Sequence, residues 1–104
     1  MRITLVCAGG YSSSMLVGEM EKVIKQKNLD IKIRATSESK FYLYEEDTDV
    51  LLLGPQVCYL EKSMHNKYDS KGIRIMVVNS KDYGLMNGRK VLEDVCNAYG
   101  DNSK

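Results

Sequence analysis

A chain of 104 residues with 43% hydrophobic content can bury one core but not two, so a single domain spanning residues 1–104 is expected. Fifteen Lys+Arg against 14 Asp+Glu leave a net charge of +1, with no run of five like charges, which removes the electrostatic case for nucleic acid or an anionic membrane. Cys7, Cys58 and Cys96 are widely spaced, without a CxxC pair and with one histidine in the chain, so neither a disulfide framework nor a metal site is expected. The opening Met1-Arg2-Ile3-Thr4-Leu5-Val6 is too short for a signal peptide or a membrane span, and a cytoplasmic location follows as an expectation.

In chain order, Ile3 to Val6 reads as a short strand buried on both faces. After Gly9-Gly10, the apolar Met15, Leu16, Val17, Met20, Val23 and Ile24 recur at helical spacing from about Ser13 to Lys27, with lysines gathered near the end where the helix dipole favours them. Asn28 is the stop. Ile31, Ile33 and Ala35 alternate with Lys32 and Arg34, the pattern of a half-buried edge strand. Between Thr36 and Asp47, Ser37 can cap a short helix carrying Phe41, Leu43 and Tyr44. Val50 to Leu53 is the most apolar run and predicts a central parallel strand. Pro55 suits the first turn of a helix whose stripe is Val57, Leu60 and Met64, ending near Lys67. Ile73 to Val78 predicts a fourth strand, 79–88 a turn-rich connection, and Val91, Leu92, Val95, Cys96 and Tyr99 a last helix before a frayed tail from Asp101.

Strands alternating with helices predict an α/β fold: one open four-stranded parallel sheet, order 2-1-3-4, with helices on both faces in the flavodoxin-like manner. Ligands of such sheets bind beyond the carboxyl ends of the strands, where the strand order reverses. The turns after Cys7, at Gly54-Pro55-Gln56 and near Asn79 should therefore meet.

Cys7 closes the first strand and faces a helix N-terminus, where unsatisfied N–H groups and a dipole worth about half an elementary charge favour an anion. Gly9 and Gly10 let the backbone approach an oxyanion, and Ser12, Ser13 and Ser14 offer hydroxyls, so the turn resembles a phosphatase-like P-loop in which a thiolate can accept a phosphoryl group. The same residues also suit a packed cysteine before an ordinary serine cap, and chemistry alone leaves both open. Cys58 and Cys96 read as packing residues and His65 as a solvated surface histidine.

Absent residues narrow the choice. The turn has no Lys and no G-x-G-x-x-G, so a nucleotide loop is unsupported, and a Cys-x5-Arg phosphatase needs Arg where Ser13 stands. No charged residue occurs between Cys7 and Glu19, so the turn lacks the guanidinium that clamps transition-state charge in hydrolysis. A thiol redox protein would call for a second cysteine close in sequence, and none is there.

Three ordered blocks, Leu5-Val6-Cys7-Ala8-Gly9-Gly10 with Ser12 to Val17, Leu52-Leu53-Gly54-Pro55-Gln56-Val57, and Asp82-Tyr83-Gly84-Leu85-Met86-Asn87-Gly88, resemble the enzyme IIB component of the bacterial phosphoenolpyruvate-dependent sugar phosphotransferase system, lactose/cellobiose branch. The resemblance implies that Cys7 takes a phosphoryl group from a phosphohistidine on enzyme IIA and gives it to a sugar carried by the membrane component enzyme IIC. It also implies that Ala8, Gly9, Gly10, Tyr11, Ser12, Ser13 and Ser14 form the phosphate-binding loop, flanked by Gly54, Pro55, Gln56, Tyr83 and Gly84. No resident cofactor is implied beyond the transient phosphoryl group, and the domain is expected to be monomeric alone and to reach the inner membrane face through enzyme IIC. Tyr11 and Ser13 stand where cellobiose-like members often carry Met and Thr, while the two later blocks favour that branch, so a β-linked disaccharide is expected. A non-catalytic regulatory domain on the same fold is the alternative.

Overall fold

In a computed structural model of the chain, which describes residues 1–8 and 11–99 with backbone alone at 11 and 12, four parallel strands form one sheet in the order β2-β1-β3-β4. The strands are β1 (Arg2–Cys7), β2 (Lys32–Ser37), β3 (Val50–Leu53) and β4 (Arg74–Val77), and the helices α1 (Tyr11–Lys27), α2 (Glu61–Tyr68), α3 (Ser80–Gly84) and α4 (Gly88–Tyr99). Gly9, Gly10 and the tail from Asp101 lie outside the described residues. The expected strand order and parallel pairing are those observed, and the fully apolar Val50–Leu53 occupies an interior position between β1 and β4.

Period-two alternation divides the core between the sheet's two faces. Ile3, Leu5, Val50 and Leu52 pack under α1 and α4 with Leu16, Met20, Val91, Leu92 and Val95. Val6, Leu51, Leu53 and Ile75 pack on the other face with Phe41, Val57, Leu60, Met64 and Tyr68. Burying a side chain of this size contributes about 1.5–3 kcal/mol relative to leaving it exposed, so both faces of β3 bind the layers together. Thr4 is the polar residue inside β1, 1% exposed. The Thr48 hydroxyl donates to the Tyr44 carbonyl (2.8 Å), which leaves Thr4 to donate to Thr48 Oγ1 (2.8 Å) and satisfies both buried hydroxyls.

α1 ends as expected at Asn28, whose left-handed φ of 55° allows Leu29 N–H to donate back to the Ile24 carbonyl at 2.9 Å. Three expectations need correction. The segment after β2 forms short 3-10 turns at Glu38–Leu43 and Glu45–Asp47; only Phe41 is buried there, edge-on to the Tyr68 ring at 5.2 Å, whereas Leu43 is exposed. The helix expected from Pro55 starts as a 3-10 segment, Pro55–Leu60, with Val57 outside helical geometry, and becomes α-helical only at Glu61. The connection 79–88 contains α3, started by Asn79, whose Oδ1 accepts from the N–H groups of Lys81 (2.9 Å) and Asp82 (3.2 Å).

α4 lies directly against α1. A Cβ at Gly88 would stand 2.7 Å from the Met20 nitrogen and 2.8 Å from the Glu19 carbonyl carbon, so the contact requires a residue without a side chain. Among the described residues no helix is long and apolar enough to cross a membrane.

Candidate functional site

Cys7 is the last residue of β1 and 2% exposed, paired in register with Ser37 of β2. Its position follows from the ladder: Gly54 N–H donates to the Val6 carbonyl at 2.9 Å, so the end of β3 is hydrogen-bonded beside the end of β1. Ala8 follows on the exposed surface, and α1 begins at Tyr11, which puts the thiol between a strand's carboxyl end and a helix's amino end.

Three separate chain segments converge on Gly54. The point where its Cβ would stand is 3.2 Å from Cys7 Cβ, 3.1 Å from Gln56 Oε1 and 3.6 Å from Tyr83 Cε2. A side chain there would press on Cys7, and the gap it leaves is flanked by the Gln56 carboxamide from the segment after β3 and by the Tyr83 ring from α3. Gln56 is exposed, whereas Tyr83 is 4% exposed, so one wall is a solvent-facing amide and the other a fixed aromatic ring. The expected meeting of the turns after β1, β3 and β4 is therefore present, and Asn79 contributes by capping the helix that carries Tyr83.

The remaining loop residues divide. Ser13 (4% exposed) and Ser14 line an open groove of about 390 Å³ with Ala35, Thr36, Ser37, Lys40 and Tyr44. Gly9 and Gly10 lie outside the described residues, as do the side chains of Tyr11 and Ser12. Pro55 is half-buried at the start of its 3-10 segment, and a Cβ at Gly84 would meet nothing within 4 Å, so no close approach explains glycine there. Lys40 was not singled out by the sequence reading because it is distant in the chain; it reaches the groove through the pairing of β2 with β1.

Elsewhere, Cys58 is exposed, which corrects its reading as a packing residue: it stands off the stripe of Val57, Leu60 and Met64 that meets the core. Cys96 is half-buried. His65 lies on the surface of α2, with Nδ1 2.8 Å from Asp69 Oδ1 and Nε2 3.7 Å from Glu61 Oε2; the Asp69 hydrogen bond, aided by both carboxylate charges, raises its pKa from the ordinary histidine value. No group of three or more His, Cys, Asp or Glu among the described residues is placed to hold a metal ion.

Comparison with known proteins fits this arrangement. Residues 2–94 match the family profile described as PTS system, Lactose/Cellobiose specific IIB subunit. The chain is 38% identical over 95 residues to the galactose-specific EIIB component of Lactococcus lactis subsp. cremoris, covering 86% of this chain and 88% of that one. The cellobiose-specific EIIB component of Lactococcus lactis subsp. lactis matches to the same extent. Among solved structures, the cellobiose-specific IIB component from Borrelia burgdorferi aligns with a TM-score of 0.78 at 41% identity, covering 100% of this chain and 95% of that one. The lactose-specific IIB domain from Streptococcus pneumoniae, at 20% identity and a TM-score of 0.86 over 95% of this chain and 97% of that one, shares the fold. A thiol on the switch-point edge of this sheet and a family match running nearly its whole length lead to one conclusion: the chain belongs to the lactose/cellobiose-specific IIB subunit family of the sugar phosphotransferase system.

Proposed function

We propose that Cys7 carries the phosphoryl group: it accepts it from a phosphohistidine on enzyme IIA and donates it to a hydroxyl of a β-linked disaccharide held by enzyme IIC. The observation that carries this reading is the placement of Cys7 at the head of α1, with Gly54, Gln56 and Tyr83 converging beside it. In the first step the thiol sulfur forms an S–P bond as the P–N bond breaks, and the thiol proton ends on the imidazole nitrogen. In the second, the sugar oxygen forms an O–P bond as S–P breaks, and the hydroxyl proton ends on the sulfur. Backbone N–H groups at the helix start stabilise charge on the phosphoryl oxygens in both steps, with Ser13 and Ser14 hydroxyls beside them.

The choice of a β-linked disaccharide is supported by a cellobiose-specific relative at 38% identity and by a relative named as oligo-beta-mannoside-specific, from Bacillus subtilis, at 28% over 88% of this chain. Docking to enzyme IIC at the inner membrane face is supported by the lactose-specific EIICB component of Lacticaseibacillus casei, in which a segment similar to this chain makes up 14% of a longer protein. Apart from the phosphoryl group in transit and the sugar hydroxyl that receives it, the proposed steps use protein groups alone. Replacing Cys7 by serine is expected to abolish phosphoryl transfer to sugar in a reconstituted system while the far-UV circular dichroism stays native; undiminished transfer by Cys7→Ser would refute the proposal.

A further inference from the structure

Gln56 is a polar side chain from outside the loop that shares with Cys7 the space left open at Gly54, and its chemistry is unlike that of the charged groups common at phosphoryl sites. Its Oε1 lies 3.1 Å from the same point at Gly54 that is 3.2 Å from Cys7 Cβ, and it reaches there because residue 54 has no side chain to block it. The site alternates between two states with opposite demands: a thiol offers a weak donor, whereas a phosphorylated sulfur offers three oxygen acceptors. A carboxamide serves both, since half a turn about its last bond replaces Oε1 by the Nε2 donor. A carboxylate there would repel the phosphoryl dianion, and an ammonium would hold it by charge and oppose its release.

We infer that Gln56 is a positioning residue for the transferred group: its carboxamide turns to donate to a phosphoryl oxygen on Cys7 and holds the phosphorus in line with the attacking and leaving atoms. Tyr83, almost fully buried, borders the same space, its Cε2 3.6 Å from the point where a Gly54 Cβ would stand. This rests on the carrier reading of Cys7. The neutral donor adds to a loop that itself carries no positive side chain, Lys40 standing in the groove beside Ser13 and Ser14.

The test compares wild type with Gln56→Ala, Gln56→Asn and Gln56→Glu, measuring single-turnover transfer from phosphorylated enzyme IIA, the lifetime of the Cys7 adduct and the thermal midpoint. Because Gln56 is exposed, the thermal midpoints are expected to coincide. Gln56→Ala is expected to slow transfer roughly 100–1000-fold at saturating enzyme IIA with KM unchanged, as loss of one donor to a developing oxyanion does. Gln56→Glu should be slower still through charge repulsion, and Gln56→Asn intermediate. Wild-type rates in Gln56→Ala and Gln56→Glu overturn the assignment, as does a change confined to KM, which would mark a partner contact. Failure of wild type to label at Cys7 overturns the carrier reading itself, a result distinct from labelled wild type with unaffected variants.

Discussion

Gly54 shows how much of the site depends on a single missing methyl group. Both its close neighbours stand at 3.1–3.2 Å from the absent Cβ, but they differ in freedom: Gln56 Oε1 ends a flexible exposed side chain, whereas Cys7 Cβ belongs to a strand hydrogen-bonded on both sides. In Gly54→Ala the carboxamide should therefore move away first and Cys7 be pressed second. Transfer from enzyme IIA is expected to fall about 10-fold while the thermal midpoint drops by no more than roughly 4–8 °C, the effect of about 1 kcal/mol in a domain of this size, as read by differential scanning calorimetry beside a transfer assay. The residues Gly54-Pro55-Gln56 were legible in the sequence as a turn near the site, but the approach of Gln56 to Cys7 was not, because it depends on the register of β3 against β1. Ser37 and Lys40 became neighbours of the loop for the same reason, through the pairing of β2 with β1.

At the scale of elements, α1 and the strands were legible because each carries a long or uninterrupted hydrophobic period. The segments 38–47 and 79–88 were not: each holds pieces of three to six residues, too short for periodicity to appear. The start of α3 is present in the sequence, as Asn79 followed three residues later by the acidic Asp82, although the turn-rich composition of 79–88 hides the helix behind it. The α1–α4 contact makes a strong demand on one residue. In Gly88→Ala the new Cβ meets backbone atoms of Met20 and Glu19 at 2.7–2.8 Å, and neither can yield without shifting α1. Overpacking of this kind costs about 1–3 kcal/mol, so urea denaturation should show an unfolding free energy lower by that amount, read as a lower midpoint at unchanged slope. Because Gly88 begins the helix behind α3, the variant should lose stability more than it loses transfer per folded molecule.

Among the described residues, the exposed large apolar side chains all stand on segments that follow a strand. Met15 follows β1, Tyr42 and Leu43 follow β2, Tyr59 follows β3 and Leu85 follows β4, so each stands on a connection leaving a strand's carboxyl end. Periodicity had counted Met15 and Leu43 as helix-stripe residues; both are 58% exposed, because hydrophobic spacing tells which residues share a face and not whether a neighbour covers it. In the proposed transfer, a phosphohistidine reaches Cys7, at 2% exposure, only if the donor protein presses closely on the segments around the end of β1. Tyr59→Ser and Leu85→Ser are therefore expected to raise the KM for enzyme IIA roughly 10-fold each, the scale of a moderate interface contact, with kcat and thermal midpoint unchanged. Steady-state kinetics over a range of enzyme IIA concentrations separates these outcomes. The strand order was legible from crossover rules together with the half-buried pattern of β2, which suits an edge, and the fully apolar β3, which suits the centre.

The most direct test is to expose the protein to phosphoenolpyruvate, the general phosphotransferase proteins and a matching enzyme IIA, and to map the modified residue by mass spectrometry under conditions that preserve S–P bonds. A single phosphoryl group on Cys7, discharged when enzyme IIC with bound disaccharide is added, is the expected result. An unmodified Cys7 under conditions that phosphorylate enzyme IIA, or a phosphoryl group on another residue such as His65, would contradict it.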